Sequence, residues 1–377
     1  MIVERIIPFF LVFLLILFSV IEINAAVITY GTQLLSYALI LFISFFYYHY
    51  LNKNNIVFVL TLSLFLLGLA IWQYSYLEYK GIFWLNTVRT VYWISIFSLF
   101  YSFVSNQSLS LLEKVIRCII LICSLSVILQ FISVYMFHSQ IDFSILLGGE
   151  GVRSNYSGDS SIYYRPTGLT SEPAIHSGIM LGLLTLYYIL NKKDKIPIFI
   201  GLISIFLTFS TLGAILALAF IFIVYNQGIK GFIFSLILLC IALFFIHDSL
   251  ISRYEYFMSG DDGSNNVKLE VLEYLFSNFN YYTTGLGFSG KDDISPVFFE
   301  ALYDLTYFLT PIVYFGIYIG GFIIIFSLGL LIKANFIFSE KILIALSLIK
   351  LSGPTFMFFN LFILILFIIN KKRGAKS

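Results

Sequence analysis

The chain has 377 residues, 60% of them hydrophobic and only 11% charged. A soluble domain carries about a quarter charged residues, so a water-soluble globular fold is excluded. The formal net charge of +2 gives no reason to expect nucleic acid as a partner.

Apolar runs of membrane-spanning length recur from end to end. They predict an all-α polytopic membrane protein, a single integral membrane domain over residues 1–377. A transmembrane barrel would show alternating segments of about ten residues instead. The predicted spans are 6–23, 27–49, 56–77, 82–104, 115–137, 173–190, 196–210, 212–226, 231–247, 308–332, 341–352 and 355–370. That is about 12 transmembrane helices, several of them short. Residues 1–26 imitate a secretory leader, with Arg5, an apolar core and Ala25-Ala26. Further spans come directly after it, so the run is read as the first span. Residues 196–226 form one apolar run. As a single helix it would be about 46 Å long, against a hydrocarbon core of about 30 Å. A turn near Ser210–Gly213 dividing it in two is expected.

Lys and Arg set the orientation. With the N-terminus in the cytosol, the cytosolic side collects Arg5, Lys53, Lys114, Arg117, Lys192, Lys193, Lys195, Lys230, Lys333, Lys341, Lys371, Lys372, Arg373 and Lys376. Basic residues concentrate in short cytosolic loops, so both termini are expected there. Two long polar segments, 138–171 and 248–307, then become extracytoplasmic loops. Long structured loops commonly carry function. The first holds Glu150, Arg153, Asp159 and Arg165; the second holds Arg253, Asp261, Asp262, Lys268, Lys291, Asp292, Asp293 and Glu300. Within the second, the apolar spacing of 267–279 predicts a short interfacial helix.

The stretch Arg165-Pro-Thr-Gly-Leu-Thr-Ser-Glu172-Pro173-Ala-Ile-His176 joins the first loop to a new span. Thr170 or Ser171 is expected to cap that helix, with proline in its first turn. Glu172 and His176 stand four apart, which places them on one helical face.

Gly285-Leu-Gly-Phe-Ser-Gly290 has GxGxxG spacing but neither comes after a buried strand nor opens an amphipathic helix, so a dinucleotide site is rejected. A tight turn offering amides to a phosphate is the reading kept open for Gly285 and Gly287. Gly178-x3-Gly182 and Gly316-x3-Gly320 read as close helix packing. The pairs Asp261-Asp262 and Asp292-Asp293 lack a third ligand at loop spacing and read as solvated loop; no metal or cofactor is expected. Cys118, Cys123 and Cys240 sit in apolar runs and read as packing residues. Arg89 and Lys350 lie in or beside apolar runs, where a charge snorkels or faces a polar cavity; snorkelling suffices for Arg89.

The chain resembles the O-antigen and capsule repeat-unit polymerases, which are related to the O-antigen ligases. The resemblance rests on Arg165-Pro-Thr-Gly168 running into Ser171-Glu172-Pro173, on Leu207-Thr-Phe-Ser-Thr-Leu-Gly213, and on the second loop ending near Gly285-Leu-Gly287. It covers most of the chain in hydropathy and about thirty residues in motif. Residues 292–307 contain no histidine, which argues against a ligase mechanism that uses one there.

The resemblance implies a polytopic glycosyltransferase of the bacterial cytoplasmic membrane. Its partners would be lipid-linked oligosaccharide donor and acceptor, membrane lipid and a chain-length regulator. One lipid-linked unit attacks the anomeric carbon of another, and polyprenyl diphosphate departs. An anionic leaving group calls for cations, for which Arg153, Arg165, Arg253 and Lys268 are the candidates. An acceptor hydroxyl calls for a base, for which Glu172 is the first candidate and His176 the second. A flippase or exporter of the same lipid-linked sugars is the alternative from another class.

Overall fold

The computed structural model describes residues 3–23, 53–146, 164–225, 263–303 and 305–375, with short pieces of 31–45 and residue 233. Among these the chain is helical. In order the elements are α1 (Val3–Val20), α2 (Lys53–Tyr74), α3 (Phe83–Ser105), α4 (Leu109–Phe137), α5 (Phe143–Leu146), α6 (Pro173–Leu190), α7 (Ile196–Leu207) and α8 (Thr211–Tyr225). Then come α9 (Gly263–Ser277), α10 (Phe279–Thr284), a 3-10 helix (Val297–Tyr303), α11 (Thr310–Lys333), α12 (Phe338–Ser347) and α13 (Met357–Gly374).

Among the described residues, five helices are long and apolar enough to cross a bilayer alone: Ile56–Tyr74, Phe83–Ser105, Leu109–Phe137, Pro173–Leu190 and Thr310–Lys333. Ile6–Val20, Ile196–Leu207 and Thr211–Tyr225 are shorter apolar helices. The protein is therefore a helical polytopic membrane protein. The expected spans at 27–49 and 231–247 fall mainly outside the described residues.

Local chemistry sets several boundaries. The fifth predicted span begins earlier than expected, at Leu109, because the Ser108 side chain accepts from the Leu111 amide at 3.1 Å and caps the helix. The long run 196–226 does divide. α7 ends at Leu207, Phe209 takes φ 49°, and α8 starts at Thr211. The expected span 341–352 is instead a helix of ten residues leading into a turn, only about 15 Å long.

α11 is not one straight rod. Gly316 (φ 73°, ψ 176°) breaks it. A Cβ there would lie 2.1 Å from the Thr283 carbonyl oxygen, and a Cβ on Gly285 would lie 2.5 Å from the Gly316 nitrogen. Only glycine lets these two backbones touch. Broken backbone inside a membrane protein must be satisfied by protein groups. Gln73 of α2 does this, its amide nitrogen donating to the Thr284 and Tyr314 carbonyls at 2.7 Å each.

Packing falls into two clusters. The larger joins α1, α4, α6, α7, α8, α12, α13 and the later turns of α3, through residues such as Leu15, Phe100, Ile119, Tyr187 and Phe362. The smaller joins α2, α9, α10, the 3-10 helix and the start of α11 around Phe83, Leu275, Phe288 and Tyr314. α3 contributes to both. α9 starts earlier than the predicted 267–279, burying Val271 and Leu275 and exposing Leu269 and Phe276.

At one end of the bundle, basic residues tie the helices together. Arg117 pairs with Asp194 at 3.2 Å, and Arg373 reaches the Ile189 carbonyl at 2.7 Å. Glu340, fully buried on α12, binds Lys192 at 2.8 Å and Arg373 at 2.6 Å. The opposite end carries the polar segments and a polar cavity.

Candidate functional site

The cavity, of about 810 Å³, opens at the seam between the two packing clusters. Five separate parts of the chain wall it. Glu22 comes from just beyond α1, and Ile82, Asn86 and Arg89 from the start of α3. Ser171, Glu172, Ile175 and Gly178 come from the entry to α6, and Lys291, Asp292, Asp293 and Glu300 from the segment after Gly290. Residues 350–356 between α12 and α13, including Lys350, close it.

The Arg165–His176 stretch is held from three sides. The Gln130 side-chain oxygen on α4 accepts from the Thr167 and Gly168 amides at 2.9 and 2.8 Å. The Tyr135 hydroxyl donates to the Tyr164 carbonyl at 2.6 Å. On the other flank Glu22 pairs with Thr170 as an isolated parallel bridge, its amide donating to the Leu169 carbonyl at 3.1 Å. The segment just after α1 is thus fastened to the segment just before α6.

Helix α6 starts differently from the sequence expectation. The N-cap is Glu172 (φ −142°, ψ 147°), with Pro173 in the first turn, rather than Thr170 or Ser171. The Glu172 carbonyl accepts from the His176 amide at 3.1 Å, yet the two side chains go to different surroundings. Glu172 faces the cavity. His176 is buried, with Nε2 3.2 Å from the Ser204 hydroxyl on α7. Beside it on α6, the Ser177 hydroxyl donates to the Pro173 carbonyl and lies 3.2 Å from the Thr208 hydroxyl. The first turn of α6, just after the first sequence feature, therefore packs against the second, 207–213, through the Ser177 and Thr208 hydroxyls.

Other expected site residues scatter. Arg165 is half-buried and does not line the cavity, and neither does Lys268 on α9. Arg153 and Arg253 lie outside the described residues, as do Asp261 and Asp262. Gly285 and Gly287 are buried, and their turn gives its amides to protein carbonyls. Gly285 donates to Tyr281 at 2.8 Å, Leu286 to Val313 at 2.7 Å and Gly287 to Tyr314 at 3.0 Å. These amides bind backbone, so this turn is no phosphate cradle. It helps to position the chain leading into Lys291, with Asn86 donating to the Phe288 carbonyl at 3.1 Å.

The cavity instead recruits charges from remote places. Arg89 is half-buried on α3 and makes no hydrogen bond or ion pair among the described residues. Ile82, Asn86 and Arg89 stand at helical spacing, which aims all three into the cavity. Lys350 enters along α6: a Cβ on Gly178 would lie 2.6 Å from the Lys350 Cγ, so this glycine makes room for the lysine stem. At Gly182 the same construction meets Leu351 and Phe358. The small-residue spacing on α6 is close packing, as expected, and one of its products is a charged wall.

Among the described residues, five carboxylates share the cavity with Arg89, Lys291 and Lys350. Lys291 is paired with Glu300. Asp292 is engaged by the Ser295 and Ile294 amides at 2.6 and 3.1 Å, contacts that hold its carboxyl below the usual range. No cluster of three or more metal-ligating side chains occurs among the described residues.

Glu22 is the carboxylate that sequence reasoning missed. Its Oε2 accepts from the Ser171 hydroxyl at 2.7 Å. Burial pushes it up to about 7; the Ser171 bond opposes the shift, Glu172 adds to it, and the charge of Lys350 works against it. A single acid at the end of an apolar run is a faint signal, visible only in that Glu22 interrupts what would otherwise be a longer apolar stretch. No family model matches the chain, no curated protein is significantly similar to it, and no solved structure matches it.

Proposed function

We propose that the protein joins polyprenyl-diphosphate-linked oligosaccharide repeat units at the outer face of a bacterial cytoplasmic membrane. The observation that carries this reading is Arg89. A guanidinium without a partner among the described residues, on a membrane helix, facing a polar cavity, calls for an anionic ligand. A diphosphate meets that need with charge-assisted hydrogen bonds, for which Arg is the best-suited side chain. Lys350 adds a second positive charge to the same cavity. The remaining wall is rich in carboxylates, which suit sugar hydroxyls and repel a bare phosphate. The mixture fits a glycan joined to a diphosphate better than either part alone.

The proposal includes a full set of about twelve spans with both termini cytosolic, an arrangement in which the cavity opens at the outer leaflet. Donor and acceptor are both lipid-linked, and a chain-length regulator is the expected protein partner. Ligase-like transfer is the nearest alternative. A flippase or exporter for the same sugars is the more distant one, and it too would use an intramembrane arginine.

Reconstitution separates these readings. The purified protein in lipid nanodiscs is given lipid-linked repeat units, without nucleotide or added metal. A ladder of lengthened products is expected. Arg89→Ala is expected to weaken retention of the lipid-linked unit about 10- to 100-fold, the worth of one charge-assisted contact. A wild-type protein that makes no ladder sinks the polymerase reading. Unchanged retention by Arg89→Ala removes the diphosphate from this cavity.

A further inference from the structure

We infer that Glu22 is the catalytic base that takes the proton from the acceptor sugar hydroxyl. The inference rests on the polymerase reading and deepens it by assigning the proton's destination.

The geometry distinguishes the two carboxylates flanking the α6 entry. Glu172 occupies the N-cap of α6 and is already engaged within the protein. Glu22 stands two residues beyond the C-terminal end of α1, where the helix end is partly negative and favours holding a proton. Its Oε2 is oriented by the Ser171 hydroxyl at 2.7 Å, and its backbone is fixed by the bridge to Thr170. The Ser171 amide also engages this carboxyl, which lines the cavity that Glu22 shares with Arg89. Burial supports the assignment by bringing this carboxyl close to neutrality, where a general base works best. The charged groups facing the same cavity are Glu172 from α6, Lys350 from the α12–α13 link and Arg89 from α3. Lys291, Asp292 and Asp293 face it from the segment before the 3-10 helix, and Glu300 from that helix itself.

The step balances without a cofactor. The acceptor hydroxyl oxygen forms a bond to the donor's anomeric carbon. The bond from that carbon to the diphosphate oxygen breaks, and its electron pair leaves with the diphosphate beside Arg89. The hydroxyl proton passes to the Glu22 carboxylate. Loss of a general base lowers turnover by roughly 10²- to 10⁴-fold.

The test uses the full chain in nanodiscs with lipid-linked repeat units as the probe. Glu22→Gln has the same shape and can still accept from Ser171. It is expected to lose at least about 100-fold in ladder formation while retaining the lipid-linked unit within about twofold of wild type, with Glu22→Asp partly active. The wild-type rate is expected to fall about tenfold per pH unit below pH 7, and Ser171→Ala to move that midpoint upward. A Glu22→Gln protein that polymerises at the wild-type rate overturns the assignment, as does a midpoint that Ser171→Ala leaves in place. If Glu22→Gln does not elute as a folded protein, Glu22→Asp and the Ser171→Ala profile decide. A wild type that forms no ladder overturns the polymerase reading and this inference together. An active Glu22→Gln beside an active wild type overturns only this one.

Discussion

Replacing Glu340 by Gln removes one charge from a buried cluster while keeping its volume. The native carboxylate is fully buried on α12 and receives Lys192 at 2.8 Å, Arg373 at 2.6 and 3.3 Å, and the Ile337 amide at 3.1 Å. Breaking a buried pair from one side costs about 3–5 kcal/mol, because the partner charge is stranded. Here the stranded partners can rehydrate: the side chains of Lys192 and Arg373 are 41% and 29% exposed. The expected loss is therefore smaller, about 2–3 kcal/mol. Reversible unfolding in mixed micelles, tracked by tryptophan fluorescence, reads the change. A cycle with Arg373→Met then isolates the pairwise part, expected at roughly 1–2 kcal/mol. The loss should persist in about 1 M salt, where the screening length is about 3 Å and exposed pairs fade. A Glu340→Gln protein within about 0.5 kcal/mol of wild type, or a loss abolished by salt, refutes the reasoning.

Gln73→Leu removes the donor to the Thr284 and Tyr314 carbonyls. Tyr314 keeps the Gly287 amide, and the buried Gln73 Oε1, which has no hydrogen-bond partner among the described residues, is relieved. One orphaned carbonyl remains, so the expected loss is about 1–2 kcal/mol in the same assay; a neutral result means the α11 break is not held from α2. Glu22 makes stability depend on pH. Its folded value is raised from 4.5 to about 7, so the folded state binds the extra proton, and stability is greatest below 4.5 and lost as pH rises through 7. Above that range the native state is weakened by at most about 3.4 kcal/mol relative to low pH, a ceiling that cavity water reduces. Glu22→Gln should be the more stable protein at pH 8, with the gap closing toward pH 5; a gap independent of pH rejects the burial argument.

Much of the architecture is legible along the chain. Hydropathy alone makes this a helical membrane protein, because an unpaired peptide group in lipid leaves few alternatives to a helix. The division of 196–226 comes from length against bilayer thickness, and the glycines of α6 announce close packing by their spacing. These are local rules, and each concerns residues a few positions apart. The site obeys none of them. Glu22, Arg89, Glu172, Lys291 and Lys350 meet across the greater part of the chain, and no periodicity links positions so distant. Local spacing even misleads at α6, where Glu172 lines the cavity while His176 is buried against Ser204. Gly285 and Gly287 have the spacing of an anion loop, yet their amides are committed to the carbonyls of α10 and the broken α11. Composition dictates that the chain enters a membrane as helices. Which of its few charges share a cavity was decided only when two packing clusters closed along α3 and left polar groups at the seam.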